Sequence, residues 1–514
     1  MHLVKFILSA ALFFVCANGS AQDTLLPSSF SHIDDRVMLY PKGFATPGNT
    51  WYPSDTLATR YFLARSPFSI LGTDSAGKLS LDAFPVLEAR AGYDSYSGRI
   101  LKESFAGAGI NLRWKNTFHL FGFLGQGQVL LPSYADSVSR QWGIVPGASV
   151  AHALGDGSMW YNHAKLIASC RLHPYVSVEG GYGKNFFGNG IRSLFLGDGA
   201  SPYPFARINT TIGKITYTNL YCNFYDIRGS MGERSRFINK YASMHYLTWN
   251  LSKRFQLNFF EAIVFPNRNQ NGSGHFFEPN YLNPVIFLRP VEYSVGSPDN
   301  SLLGAGFQLK LKNGIGVYGQ VILDEFLLSK VREGKGWVEN KQGIQAGAKM
   351  QEPFHIKYLD VQAEINWVRP YTYYHKNSLQ NYAHMNQPLA HPLGANFSEL
   401  LMRINYARYK NLRLSATLMY AEIGYDKDGL SCGQNVYQPY YLRPLETGNR
   451  VGQGLFTRLM LADAALNWIP EEASGSCFFV SCTLRGSVNE RGAQWSVIPM
   501  LGLRSRFLPG TRYF

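Results

Sequence analysis

The chain has 514 residues, of which 46% are hydrophobic, 14% aromatic and only 16% charged. Its mean hydropathy of −0.14 is too apolar for an intrinsically disordered chain and too polar for a bundle of transmembrane helices. The formal net charge of +14 comes from Lys and Arg scattered singly, without the basic cluster or fold signature of a nucleic-acid-binding protein, so nucleic acid is not an expected partner.

Residues 1–21 read as a secretory signal peptide. Lys5 is the single Lys, Arg, Asp or Glu there, 6–15 form an apolar run, and Gly19, Ser20 and Ala21 are small enough for cleavage. Loss of Lys5 takes the charge from +14 to +13. Phe13, Phe14 and Val15 precede Cys16, where a lipidated Cys needs a small neighbour, so Cys16 reads as an apolar residue of the leader. Residues 22–83 form an N-terminal extension, periplasmic or plug-like. Pro27, Pro41, Pro47, Pro53 and Pro67 interrupt any strand period there, and a small helical element around 31–39 is one option. Beyond the leader no run of about 18 apolar residues occurs, so any membrane crossing must be made by strands, closed into a barrel.

From residue 84 to 514 the chain alternates with period two. Leu87, Ala89, Ala91 and Tyr93 alternate with Glu88, Arg90, Gly92 and Asp94. Ala108, Ile110, Leu112 and Trp114 alternate with Gly109, Asn111, Arg113 and Lys115. Phe307, Leu309 and Leu311 lead to Asn313-Gly314, a pair suited to a tight turn, and Ile315, Val317, Gly319, Val321 and Leu323 return on the apolar face. Leu359, Val361, Ala363, Ile365 and Trp367 alternate with Asp360, Gln362, Glu364 and Asn366, and 412–420 repeats the pattern. These runs are about 9 to 11 residues long, enough to cross a bilayer when tilted. Their apolar rows end in Trp or Tyr, as a membrane barrel's aromatic girdles do. The expected fold is therefore all-β, a transmembrane antiparallel barrel of about 14–18 strands, an even number. The terminal Phe514 fits an outer-membrane barrel, and the expected location is the outer membrane of a Gram-negative bacterium.

Cys170, Cys222, Cys432, Cys477 and Cys482 follow the leader in an irregular, odd set that does not read as a disulfide framework. On one extended strand, Cys477 and Cys482 would lie on opposite faces, about 17 Å apart.

Three long motifs lie between the alternating runs. One is Gly181-Tyr182-Gly183-Lys184-Asn185-Phe186-Phe187-Gly188-Asn189-Gly190-Ile191-Arg192-Ser193-Leu194-Phe195-Leu196, continuing through Asp198 to Pro204. A second spans 280–300 and includes Arg289-Pro290-Val291-Glu292-Tyr293 and Asp299. The third runs from Val368-Arg369-Pro370-Tyr371-Thr372-Tyr373 to Asn386-Gln387-Pro388-Leu389-Ala390-His391-Pro392-Leu393-Gly394-Ala395-Asn396-Phe397. Over about 175–470 these resemble gliding-motility outer-membrane proteins of the RemB type and, more distantly, the capsule-assembly Wzi family. The resemblance implies an outer-membrane barrel linked to surface polysaccharide, with lectin-like capsule attachment in Wzi-type members and surface motility in gliding-type members.

The charged residues of these motifs stand among aromatics, the mixture a sugar site needs. Arg192, Asp198, Arg289, Glu292, Asp299, Arg369, Tyr371 and His391 are the candidate ligand-binding residues. Internal Arg–carboxylate pairing is the alternative role for each charged position. No catalytic residue is assigned. No His precedes a Ser by two positions, and there is no nucleophile elbow with its triad, no His-Glu-x-x-His and no phosphate loop. His375, His384 and His391 are spaced by nine and seven, which fits loop hydrogen bonding better than a zinc site. No metal or cofactor is expected. The expected function is non-enzymatic, in capsule attachment or assembly or in gliding motility. A channel or transporter, or a structural component of an envelope complex, is the alternative. Expected partners are outer-membrane lipid, surface polysaccharide, and envelope or motility proteins.

Overall fold

The computed structural model describes residues 70–73, 79–115, 117–266, 279–284, 299–325, 327–409, 411–438, 440–470 and 476–505. The expected leader, the helical option at 31–39, Arg289, Glu292 and Phe514 lie outside these.

Period-two alternation becomes a closed antiparallel barrel. Its strands are β1 (Leu79–Asp94), β2 (Arg99–Trp114), β3 (Phe118–Leu130), β4 (Met159–His173), β5 (Val176–Gly183) and β6 (Tyr203–Ile212). They continue as β7 (Ile215–Asp226), β8 (Ile238–Asn250), β9 (Phe255–Pro266), β10 (Asn300–Lys310), β11 (Ile315–Leu323) and β12 (Gln342–Gln351). The last six are β13 (Leu359–Val368), β14 (Phe397–Tyr409), β15 (Leu412–Tyr425), β16 (Leu455–Trp468), β17 (Ser476–Asn489) and β18 (Gly492–Ser505). Each pairs with its sequence neighbours, and β18 closes on β1 from Glu88↔Arg504 to Gly92↔Met500. A short strand, Ile70–Thr73, pairs with residues 80–83 of β1. Eighteen wall strands is the top of the expected range. The wall begins at Leu79, within the expected N-terminal extension.

Connections alternate in length. One end has short turns such as 174–175, 213–214 and 311–314, and the other has the long segments 131–158, 184–202, 369–396 and 426–454. At the short-turn end Asn313 and Gly314 take φ of 58° and 69°, the left-handed pair expected there.

In the rows at 87–94 and 359–367 the apolar residues face out and the polar residues face in. Leu87 is 47% exposed while Glu88 is 5% exposed, and Ile365 is 57% exposed beside a buried Glu364. Such an inverted pattern suits a wall with hydrocarbon outside, since carboxylates pointing outward there would lack any partner. Trp114, Trp249 and Trp468 ring the outer face at the short-turn end, and Tyr93 and Trp495 do so at the long-loop end. Cys477 is buried and Cys482 exposed on the same strand, β17, as their odd spacing requires.

Candidate functional site

The hydrophobic core lies in the lumen and is made by long connections folding inward. From the 131–158 connection, helix α1 (Ser133–Trp142) and Leu131, Val145 and Ala148 pack on the inward residues Phe84, Val86, Phe105 and Tyr161. The motifs at 184–202 and 369–396 pack against the inward residues of the neighbouring wall. Phe187 stacks on Tyr246 of β8 with centroids 4.7 Å apart, and Phe195 on Phe260 of β9 at 5.0 Å. The wall is shaped to receive them: a Cβ on Gly304 of β10 would lie 2.4 Å from the Phe195 ring.

A buried loop must satisfy its backbone polar groups, and the inward polar row of the wall supplies the partners. Glu364 of β13 accepts from Ile191 N at 2.7 Å, Arg192 N at 2.9 Å and the Tyr318 hydroxyl at 2.8 Å. Gln320 of β11 accepts from Leu194 N at 2.9 Å, and Gln345 of β12 donates to Arg192 O at 3.1 Å. Asn366 of β13 bridges Glu364 and Glu399 of β14 at 3.1 and 2.9 Å. From the second loop, His391 Nε2 lies 2.8 Å from Glu399 Oε2. Its Nδ1 accepts from Leu393 N, so the ring proton sits on Nε2 and points at the carboxylate. Arg192 Nε stands 3.9 Å from the other Glu399 oxygen. The Tyr373 hydroxyl ties the loops together by donating to Leu194 O at 2.9 Å.

Of the candidate residues, Arg192 and His391 thus meet at Glu399. Tyr371 is fully buried under the 426–454 connection, with its N donating to Gly433 O and its hydroxyl to Ser431 O. Arg369 reaches Trp337 O and Asn449 O, both at 3.4 Å, and burial pulls its guanidinium below its usual value. Asp198 belongs to the first loop. Its carbonyl accepts from Lys184 at 3.1 Å, and burial lowers the Lys184 ammonium to about 8 against the opposing pull of Asp198. Asp299 sits apart, accepting from the Tyr281 hydroxyl at 2.6 Å and Gln380 at 2.8 Å. These residues do not converge on one pocket.

The three histidines also part company. His384 accepts from Tyr225 N and donates to Pro202 O, and burial lowers it to about 3, so it stays neutral. His375 accepts from Asn377 N. Among the described residues no group of three or more His, Cys, Asp or Glu is placed to hold a metal.

Sequence reasoning did not single out Glu364, Glu399, Gln320 and Gln345 as clasp residues. Their signal was present only as polar positions in the alternating rows. A second omission lies on the outer wall. Ser243 and His245 of β8 and Glu261 of β9 point outward yet are buried. His245 Nδ1 lies 3.2 Å from Glu261. The segment 279–284 runs over this wall, with Ser243 donating to Tyr281 O at 2.8 Å and Tyr221 to Leu282 O at 3.1 Å.

A closed eighteen-stranded barrel with an apolar outer face and a filled lumen defines an architecture of outer-membrane type. No family model and no curated protein matches the chain. Among solved structures it is similar to Wzi of Escherichia coli, an outer-membrane protein involved in group 1 capsule assembly and described as a carbohydrate-binding β-barrel. That likeness has a TM-score of 0.51 at 11% identity, over 82% of this chain and 85% of Wzi. Pseudomonas aeruginosa OpdK with vanillate matches at 0.47 and 8% identity, over 82% and 98% of the two chains. OprD of the same organism matches at 0.45 and 8%, over 87% and 100%. The shared feature is the fold.

Proposed function

We propose that this chain is a non-enzymatic outer-membrane barrel that holds cell-surface polysaccharide on its long-loop face, in capsule attachment or assembly. The observation that carries this is the clasped filling of the lumen by 131–158, 184–202 and 369–396. A barrel filled in this way leaves its outer loops, rather than a pore, as the surface that meets the cell's exterior. That face carries the exposed Tyr441 and Tyr96 with Lys335, Lys376 and Arg450, a combination of aromatic faces and cations suited to acidic sugars. The fold likeness to a carbohydrate-binding barrel supports the same reading. The resemblance of the loop motifs to gliding-type proteins adds surface motility as the process served.

The deciding experiment is a deletion strain scored together for surface glycan and colony spreading, complemented with the wild-type chain. Loss of retained glycan is expected. No change in either phenotype sinks the proposal. Stable conductance of the purified wild type in planar bilayers would instead favour a channel.

A further inference from the structure

The opposite mouth of the barrel has a different chemistry. At the short-turn end a pocket of about 390 Å³ opens between the β6–β7 turn, the β8–β9 turn and the end of β10. Lys214, Lys253, Arg254 and Lys310 line it, and no Asp or Glu is found among its described lining residues. The floor is amide. Gln256 and Gln308 are 3% and 2% exposed, and pair across β9 and β10.

The pocket's walls are held in place. Asn250 N donates to Lys214 O at 2.8 Å, Lys214 Nζ to Leu251 O at 3.3 Å, and Lys310 N to Arg254 O at 2.8 Å. Gln256 donates from its side-chain amide to Asn258 Oδ1 at 2.8 Å, which fixes the floor.

We propose that this mouth binds a phosphate monoester, carried either by a lipid headgroup or by a soluble sugar or polyol phosphate. Four cations around one cavity are compensated better by a doubly charged phosphate than by a single carboxylate. Arg254 can meet two phosphate oxygens at once, and the lysines act as point charges. The site is at the other end of the barrel from the surface-glycan face, so it stands or falls separately from that reading.

The test uses the full-length protein in neutral detergent at low salt. Calorimetric titration with glycerol 3-phosphate probes the soluble source. Native mass spectrometry with phosphatidic acid, against phosphatidylcholine, probes the lipid source. Binding in either arm is expected, and the arm that binds identifies the source. In the double variant Lys253→Gln/Arg254→Gln, and more mildly in Lys214→Gln, affinity should fall by about tenfold or more, as loss of charge-assisted contacts predicts. An unchanged heat-modifiable barrel band shows that these exposed turn variants fold. Absence of binding in both arms, or wild-type affinity in the double variant, overturns the proposal.

Discussion

The carboxylate of Glu364, on the inner face of β13, lies 2.9 Å from the backbone N of Arg192, deep in the 184–202 loop. With Ile191 N on its other oxygen at 2.7 Å, one wall side chain holds two adjacent peptides of the plug. Hydrogen bonds to a charged group are worth about 1.5–3 kcal/mol each, and buried N–H groups left without an acceptor cost more than the bond alone. Glu364→Ala is therefore expected to lower the heat-unfolding midpoint clearly and to produce channel events in planar bilayers where the wild type is silent. Glu364→Gln keeps one acceptor oxygen and should fall between the two. A silent, equally stable Glu364→Ala protein would show that the loop is held elsewhere.

Gly304 tests the same plug without touching charge. Its missing side chain is filled by the Phe195 ring, 2.4 Å from where a Cβ would stand. Gly304→Val pushes that ring off Phe260, since ring and wall are both closely packed and overpacking costs about 1–3 kcal/mol. The expected outcome is a folded barrel whose 184–202 loop is cut by added protease in detergent, while the wild type resists. Equal protease resistance of the two proteins would mean that the ring relocates within the core.

Period-two patterning made the wall legible, because the period of a strand is a local property. The rows at 87–94, 108–115, 307–323 and 359–367 each divide between the two faces as their alternation required. The clasp was not legible. Glu364 on β13 meets Arg192 with the seven strands β6 to β12 between them in the chain, and in the sequence it is one polar residue in a polar row. The candidate residues stand out by charge among aromatics, a pattern that a polar-satisfied plug produces as readily as a sugar site. The wall at His245 and Glu261 was hidden for a related reason. Only the path of 279–284 over the outer face makes polar residues tolerable there, and no local period reports it.

Asp324 gives the loop end a pH dependence. It follows β11, accepts from Tyr373 N at 2.8 Å, and is raised to about 7 by burial, against the attraction of Lys341 and with Glu325 adding repulsion. A carboxyl whose folded pKa exceeds its unfolded value of 3.8 binds more protons folded than unfolded in the interval between. Its stabilising effect is then full below about pH 4 and is lost as pH rises to about 7. The contribution isolated by Asp324→Asn should follow that course. The wild-type melting temperature relative to the variant is expected to fall from pH 4.5 to 7.5 and to be flat above. A constant difference across that range would mean that Asp324 titrates as an exposed carboxyl.

Ile365 and Glu364 are adjacent in sequence and face opposite media, and this contrast tests which side of the wall is lipid. Ile365 is 57% exposed on the outer face, with Ala346 and Leu400 as its neighbours on β12 and β14. A Lys near the bilayer midplane on a barrel's lipid face costs about 2–4 kcal/mol, falling toward zero at the interfaces. Ile365→Lys should lower folding stability in phospholipid vesicles by that order. Leu359→Lys, at the short-turn end of the same strand, should cost less. In detergent the gap between the two should narrow, because a micelle lets the ammonium reach water. If both variants lose the same stability in vesicles, the apolar band is not centred where β13 places it.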